Sequence, residues 1–237
     1  MTFFRFCSAI TLAAVFLITS QAQSVDRAQV EKEIDALWSQ IKAKEPLLFE
    51  VSPEDKERHA EFLAQSDAGI IRLLPRERFD GKLKTRGGGS YYSFTRLTNE
   101  YGRGVDIGLE QNHFNVGFYG ISFGFLADLG VMPLQEVTLE HPSLKFLLNF
   151  APALTEPEIR VQQRQSGEGI KEGGFSYRSH VPAQVGHTYV LRSIDYDNAD
   201  VLVALQVLRQ DEDGSLVLIW KMLKKLPTPK FERPKQN

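Results

Sequence analysis

A serine between two glycines is the part of this sequence that comes nearest to a catalytic pattern. Residues 120–124, Gly-Ile-Ser-Phe-Gly, satisfy Gly-x-Ser-x-Gly with Ser122 as the nucleophile. In hydrolases with this pattern, the glycines permit a sharp strand-to-helix turn that exposes the serine hydroxyl. An acid and a histidine would complete the triad, and the candidates are Asp128 or Asp195 with His180 or His187.

The neighbouring segments predict a different setting for Ser122. The strands around it have the alternation of an antiparallel sheet, and no strand–helix repeat surrounds them. Residues 125–129 are barely long enough for one helical turn before Gly130. We therefore interpret Ser122 as a polar position in a glycine-containing strand, and a small secreted serine hydrolase remains the alternative function.

Histidines and acids are not spaced as ligands of a metal ion. The histidines show neither His-x-His nor His-x-x-x-His spacing, and the single cysteine, Cys7, lies near the N-terminus. The acidic run at 195–200 lacks the glycine and the glutamate of an EF-hand loop, which predicts a solvated turn. Glycines 87–89 lack the Lys-Ser/Thr pair of a phosphate loop. The sequence predicts no metal site and no cofactor.

Glycines and aromatic residues are interleaved between residues 86 and 130. Glycine in a strand permits sharp bending or the close approach of a ligand or another backbone. One interpretation is a binding face on which tyrosines stack against a ligand while charged side chains hydrogen-bond its polar groups. The other is a strongly curved sheet whose aromatic residues fill the core. The residues predicted for the binding face are Tyr91, Tyr92, Arg96, Tyr101, Arg103 and Asp106.

Two helices are predicted before the strands begin. The first covers residues 25–44, where apolar residues recur at helical spacing, and it ends at Glu45-Pro46 because proline disfavours helical geometry in the preceding residue. The second runs from Ser52 to about Gln65 and begins with a capping box, in which Ser52 is the cap and Asp55 the acid. The apolar stripe of the first helix consists of Val30, Ile34, Leu37, Trp38 and Ile41.

From residue 70 the apolar residues recur with period two, as in strands. Residues 105–110 and 114–118 alternate on either side of a turn and predict a hairpin. Three later runs, 188–194, 201–208 and 216–223, predict an antiparallel meander, and the last two are apolar on both faces. The glycine-rich stretch 166–174 predicts an exposed loop. The predicted fold is α+β, with the two helices packed on a mainly antiparallel, strongly curved sheet or sandwich.

The N-terminus has the features of a secretory signal. Arg5 precedes an apolar stretch that is too short to span a bilayer, and small residues at signal-peptidase spacing follow at Ser20 and Ala22. We expect a signal peptide at 1–22, one domain at 23–226, a disordered tail at 227–237, and a secreted or periplasmic location. No other stretch is long and apolar enough to predict a transmembrane segment.

Charge and composition limit the possible partners. The formal charge is −2 at pH 7, so no nucleic-acid partner is predicted. Two basic stretches, 72–86 and 221–235, could contact an anionic envelope polymer or form a solvated surface. We expect an exported, non-catalytic, β-rich module that binds an unknown small ligand or envelope component.

Overall fold

The computed structural model describes residues 26–232. The predicted signal peptide, 1–22, and residues 233–237 of the predicted tail lie outside this range. Of the described residues, 26–38 form one unit, and 39–232 form a second unit that contains all the described strands.

The first helix, α1, spans Arg27–Phe49 and continues past the predicted end at Pro46. The side chains of its apolar stripe are 37–59% exposed. Its last turn is stabilised by tertiary contacts, which override the effect of proline on the helix. The buried Glu45 carboxylate accepts hydrogen bonds from the backbone N–H groups of Lys84 and Thr85, and the Phe49 ring packs against Gly89.

The predicted second helix is broken at His59 into α2, Pro53–Arg58, and α3, Ala60–Leu63. The predicted cap is confirmed, because Ser52 Oγ accepts a hydrogen bond from the Asp55 N–H at 3.1 Å. Asp55 also forms an ion pair with Arg209, and Phe62 packs in the core. The prediction of two N-terminal helices was therefore wrong, since one long helix and two short ones are present.

The main sheet has five antiparallel strands in the order β1-β11-β10-β9-β5. It contains the predicted C-terminal meander as its centre, and β1 and β5 are its edge strands. The strand bounds are β1, Ala68–Leu73; β5, Phe123–Val131; β9, His187–Asp195; β10, Ala199–Gln210; and β11, Leu216–Lys225.

A smaller antiparallel sheet has the order β2-β3-β4-β8 and contains the predicted hairpin as β3 and β4. A separate hairpin, β6–β7, occupies part of the glycine-rich stretch, so the predicted loop at 166–174 was wrong. The bounds are β2, Tyr91–Tyr92; β3, Ile107–Glu110; β4, His113–Asn115; β6, Ile170–Glu172; β7, Phe175–Tyr177; and β8, His180–Pro182.

The main sheet is buried on both faces, as its apolar runs predicted. The smaller sheet packs on one face, through side chains such as Ile107, Phe114 and Val181. Helical segments pack on the other face, and most of them lie between β5 and β6 rather than at the N-terminus. The remaining helices are α4, Arg76–Phe79; a 3-10 turn, Leu134–Glu136; α5, Leu144–Asn149; and α6, Glu156–Glu168.

Neither sheet is strongly curled, which corrects the predicted strong curvature. Two of the glycines in strands instead allow close packing. Gly108 lies beneath the rings of Tyr91 and Phe118, where a Cβ would be 2.8 Å from the Phe118 ring. Gly124 lies against the backbone carbonyl of Arg192 on the neighbouring strand β9. The glycines of these strands therefore make room for neighbouring groups.

The described part of the predicted tail, 227–232, is hydrogen-bonded to the domain. The Asp197 N–H donates to the Pro229 carbonyl at 3.0 Å, and the Glu232 N–H donates to the Leu154 carbonyl at 3.0 Å. Within residues 26–232, no helix is long and apolar enough to cross a membrane.

Candidate functional site

Two buried carboxylates lie where the loop before β3 meets the end of β9. Asp106 accepts a hydrogen bond from the Phe94 N–H at 2.8 Å and another from the Ser193 side chain. Asp195 accepts from the Gly104 N–H at 3.0 Å and from Asn198 Nδ2 at 2.9 Å. These bonds attach residues 93–106 to the main sheet, and we call Asp106 and Asp195 the buried acid pair.

Burial controls the protonation of the acid pair. Desolvation, with a smaller contribution from the charge of Asp195, raises the pKa of Asp106 to about 6. The hydrogen bonds from Ser193 and Phe94 oppose this rise. Desolvation also raises the pKa of Asp195, against the effects of Asn198 and Arg103. A carboxyl that titrates this near neutrality, beside a second acid, is a feature more common at functional sites than elsewhere.

Arg96 and Arg103 lie beside the acid pair and are both exposed; we call them the arginine pair. Arg96 Nε is 3.4 Å from Ser93 Oγ, and Arg103 Nη2 donates to the Tyr196 carbonyl at 3.2 Å. Both guanidinium groups lower the pKa of Asp195, which places them near it. Guanidinium groups offer planar, two-pronged hydrogen bonding to carboxylates and phosphates.

The predicted tyrosines do not form an exposed stacking face. Tyr92 is buried against Phe94 and Trp220, between the two sheets. Tyr91 is buried between Tyr101 and Phe118, and its hydroxyl donates to Glu110 at 2.5 Å. The Tyr101 hydroxyl donates to the Phe118 carbonyl at 3.1 Å. Of the six predicted binding residues, the structure therefore groups Arg96, Arg103 and Asp106, and it places the tyrosines in packing contacts.

Asp195 and Asn198 were not predicted to be part of this site. The acidic run at 195–200 was predicted to be a solvated turn, and this was wrong for Asp195 and Asp200, which are buried. Asp200 instead forms an ion pair with Arg192. The usable signal was that β9 ends in an acid, while the loop that contacts this end carries a second acid, Asp106.

Ser122 lies in the turn that leads into β5 rather than into a helix. Its hydroxyl oxygen accepts a hydrogen bond from the Tyr119 N–H at 2.9 Å, and no hydrogen bond to a histidine is present among residues 26–232. His187 Nδ1 does lie 2.9 Å from Asp128 Oδ1. However, Asp128 is six residues farther along β5, which corresponds to about 20 Å of strand. The predicted acid and base therefore meet away from the predicted nucleophile.

The basic stretches are partly neutralised by ion pairs. Arg72 lies 3.0 Å from both Asp211 and Asp213, and Arg76 contacts Asp80 and Glu110. In the C-terminal stretch, Lys225 forms an ion pair with Asp67, and Lys230 forms one with Asp197. Lys221 donates a hydrogen bond to the Gln135 carbonyl.

No group of three or more potential metal ligands is present in the described part of the chain. No protein-family model matches the sequence, and no curated protein or solved structure shows significant similarity to the chain.

Replacing Asp106 by asparagine is expected to remove a pH dependence of stability. The carboxyl titrates near 3.8 when unfolded and near 6 when folded, so between these values the folded protein holds a proton that the unfolded chain has lost. Stability therefore falls as pH rises through this window, by about 2–3 kcal/mol in total. Asparagine keeps an acceptor for the Phe94 N–H and has no such proton to lose.

Urea unfolding of both proteins at about pH 4 and about pH 7.5 measures this difference. From about pH 4 to about pH 7.5, the free energy of unfolding of D106N should rise by about 2–3 kcal/mol relative to that of the parent chain. The control is D197N, the same change at a neighbouring residue that is exposed, and its difference should stay within about 0.5 kcal/mol. A D106N difference that does not change with pH would contradict the raised pKa.

Proposed function

We propose that the chain is an exported, non-catalytic binding module, and that its arginine pair binds a small ligand bearing a carboxylate or phosphate group. The observation that carries this proposal is the position of two exposed guanidinium groups beside a buried acid pair. Export is proposed from the signal-like residues 1–22, which lie outside the described residues.

The charge balance of the site favours a small ligand over a polyanion. The acid pair offsets much of the positive charge of Arg96 and Arg103, so the site does not attract anions strongly over a distance. The carboxylate oxygens are engaged by Ser193, Asn198 and backbone N–H groups, whereas the two guanidinium groups reach the surface. Affinity should therefore come from directed hydrogen bonds, which suit a single planar or tetrahedral anion.

We propose that the rest of such a ligand lies in a groove that begins at Leu97, the residue after Arg96. It has a volume of about 510 Å³ and lies between the end of α1, residues 84–85 and residues 97–100. Leu97 lines it, is 62% exposed and has a φ of 55°, a backbone conformation that is uncommon for leucine. An apolar side chain held outward in this way supports a ligand that is apolar on one side and anionic on the other.

Isothermal titration of the chain with a series of small carboxylates and phosphates tests the proposal. At least one anion should bind, and the double variant R96A/R103A should weaken its binding by about 10-fold or more, since each charge-assisted hydrogen bond contributes about 1.5–3 kcal/mol. The control is R164A, which removes an exposed arginine of α6 and should leave binding unchanged. Circular dichroism checks that each variant is folded.

Two results would contradict this function. If no anion binds, or if R96A/R103A binds as well as the parent chain, the arginine pair is not the site. A fluorophosphonate probe that labels the chain but not S122A would instead support the serine hydrolase. The hydrogen bond between Ser122 and its own turn, and the separation of Ser122 from His187, favour binding over hydrolysis.

A further inference from the structure

Strand pairing brings together two histidines that are far apart in the sequence. In the antiparallel pair β4–β8, His113 lies opposite Pro182 and Asn115 lies opposite His180. The intervening residues, Phe114 and Val181, are buried in the core, so both histidines belong to the outer face of the smaller sheet. Their ring centroids are 6.4 Å apart.

The hydrogen bonds of both rings involve the Nδ1 atoms. His113 Nδ1 lies 2.8 Å from the Gln111 carbonyl oxygen, which can only accept, so this nitrogen carries the proton. His180 Nδ1 lies 3.5 Å from the Ser179 hydroxyl. Within residues 26–232, neither Nε2 atom has a hydrogen-bond partner. A histidine whose Nδ1–H donates to a backbone carbonyl is oriented as metal-binding histidines are, with a lone pair on Nε2.

We propose that His113 and His180 form a surface site for a divalent transition-metal ion, bound through both Nε2 atoms. Imidazole ligands suit Cu²⁺, Ni²⁺ and Zn²⁺, and Cu²⁺ binds most tightly in this series. Asn115 lies on the same face, directly opposite His180, and its side-chain oxygen is a further potential metal ligand. Because the described residues hold no set of three His, Cys, Asp or Glu ligands, water completes the coordination and the ion exchanges readily.

The spacing of the pair is close to what one shared ion requires. A metal about 2.0–2.1 Å from each Nε2, with ligand angles of about 90–120°, places the two ring centroids roughly 4.5–5.5 Å apart. The observed 6.4 Å is longer by roughly 1–2 Å. His180 is exposed and His113 is half-buried, so small rotations of the side chains can close the site without moving the strands.

Titration of the chain, without a histidine tag, with CuCl₂ and NiCl₂ tests this proposal. The parent chain should bind Cu²⁺ more tightly than Ni²⁺, and electron paramagnetic resonance of bound Cu²⁺ should show coupling to two imidazole nitrogens. H113A and H180A should each weaken Cu²⁺ binding by at least about 10-fold, since loss even of an outer partner of a ligand costs about 10–100-fold.

The controls are H59A and H187A, which remove histidines outside this face and should leave Cu²⁺ binding unchanged. H180A is the more decisive variant, because the His180 side chain is exposed and removing it should not disturb folding. Circular dichroism verifies that every variant is folded. Unchanged binding in H180A, or an equal loss in H187A, would overturn the proposal. Because the site does not involve the arginine pair, R96A/R103A should retain Cu²⁺ binding whatever its effect on anions.

Discussion

Replacing Arg192 by methionine is expected to lower the free energy of unfolding by about 3–5 kcal/mol. Arg192 and Asp200 form a two-pronged ion pair on the helix-covered face of the main sheet, with distances of 2.9 Å and 2.7 Å, and both side chains are almost fully buried. Arg192 Nη1 also donates to the carbonyls of Leu147 and Phe150 at the end of α5. Methionine has a similar length, so the loss reflects the unpaired Asp200 charge and the two carbonyls left without a donor.

Chemical denaturation of R192M and of two further variants measures this effect. The control is R160A, which breaks an exposed ion pair with Glu156 within α6 and should cost about 0.5 kcal/mol or less. The double variant R192M/D200L should recover part of the loss, because it removes the uncompensated charge but not the unpaired carbonyls. A cost for R192M no larger than for R160A would show that this buried pair does not stabilise the contact with α5.

Replacing Gly124 by alanine is expected to cost about 3 kcal/mol, at the upper end of the range for overpacking. The added Cβ would overlap the carbonyl oxygen of Arg192 and lie 2.6 Å from Val116 Cγ2. The carbonyl belongs to β9, which pairs with β5, so relief requires two main-sheet strands to separate. Gly124 is the last residue of the Gly-x-Ser-x-Gly segment, and this contact explains the glycine there without a catalytic serine.

The matched control for G124A is G167A. Gly167 lies within α6, has open space around its Cα, and has no backbone angle that requires glycine. Alanine there should stabilise the chain by about 0.5 kcal/mol, because it favours the helix more than glycine does. Thermal unfolding of both variants should therefore shift in opposite directions. Equal melting temperatures for G124A and the parent chain would contradict the packing explanation.

The sequence predicted the elements whose signals are local. The strands β9 to β11 follow from three apolar runs separated by short turns, and the β3–β4 hairpin follows from clean alternation around residues 111–113. The pairing of β1 with β11, and of β4 with β8, could not be predicted, because nothing in an isolated strand specifies a distant partner. The histidine pair was missed for this reason.

The candidate site was predicted in its charged residues and not in its aromatic ones. Arg96, Arg103 and Asp106 were selected as polar residues within an apolar segment, and their grouping depends on Asp195, which comes from a different sheet. Tyr91 and Tyr92 have the same composition signal whether they fill a core or face a ligand. Only the packing of Tyr91 between Tyr101 and Phe118, and of Tyr92 against Trp220, distinguishes the two.

The order of the main sheet also has a consequence for biosynthesis. Its central strands, β9 to β11, are the last to leave the ribosome, and the edge strands β1 and β5 have no sheet to join until then. A nascent chain that lacks residues 187–225 therefore cannot complete the hydrophobic core on either face of the main sheet. A protein built in this order cannot reach its stable form until the strands β9 to β11 have been synthesised.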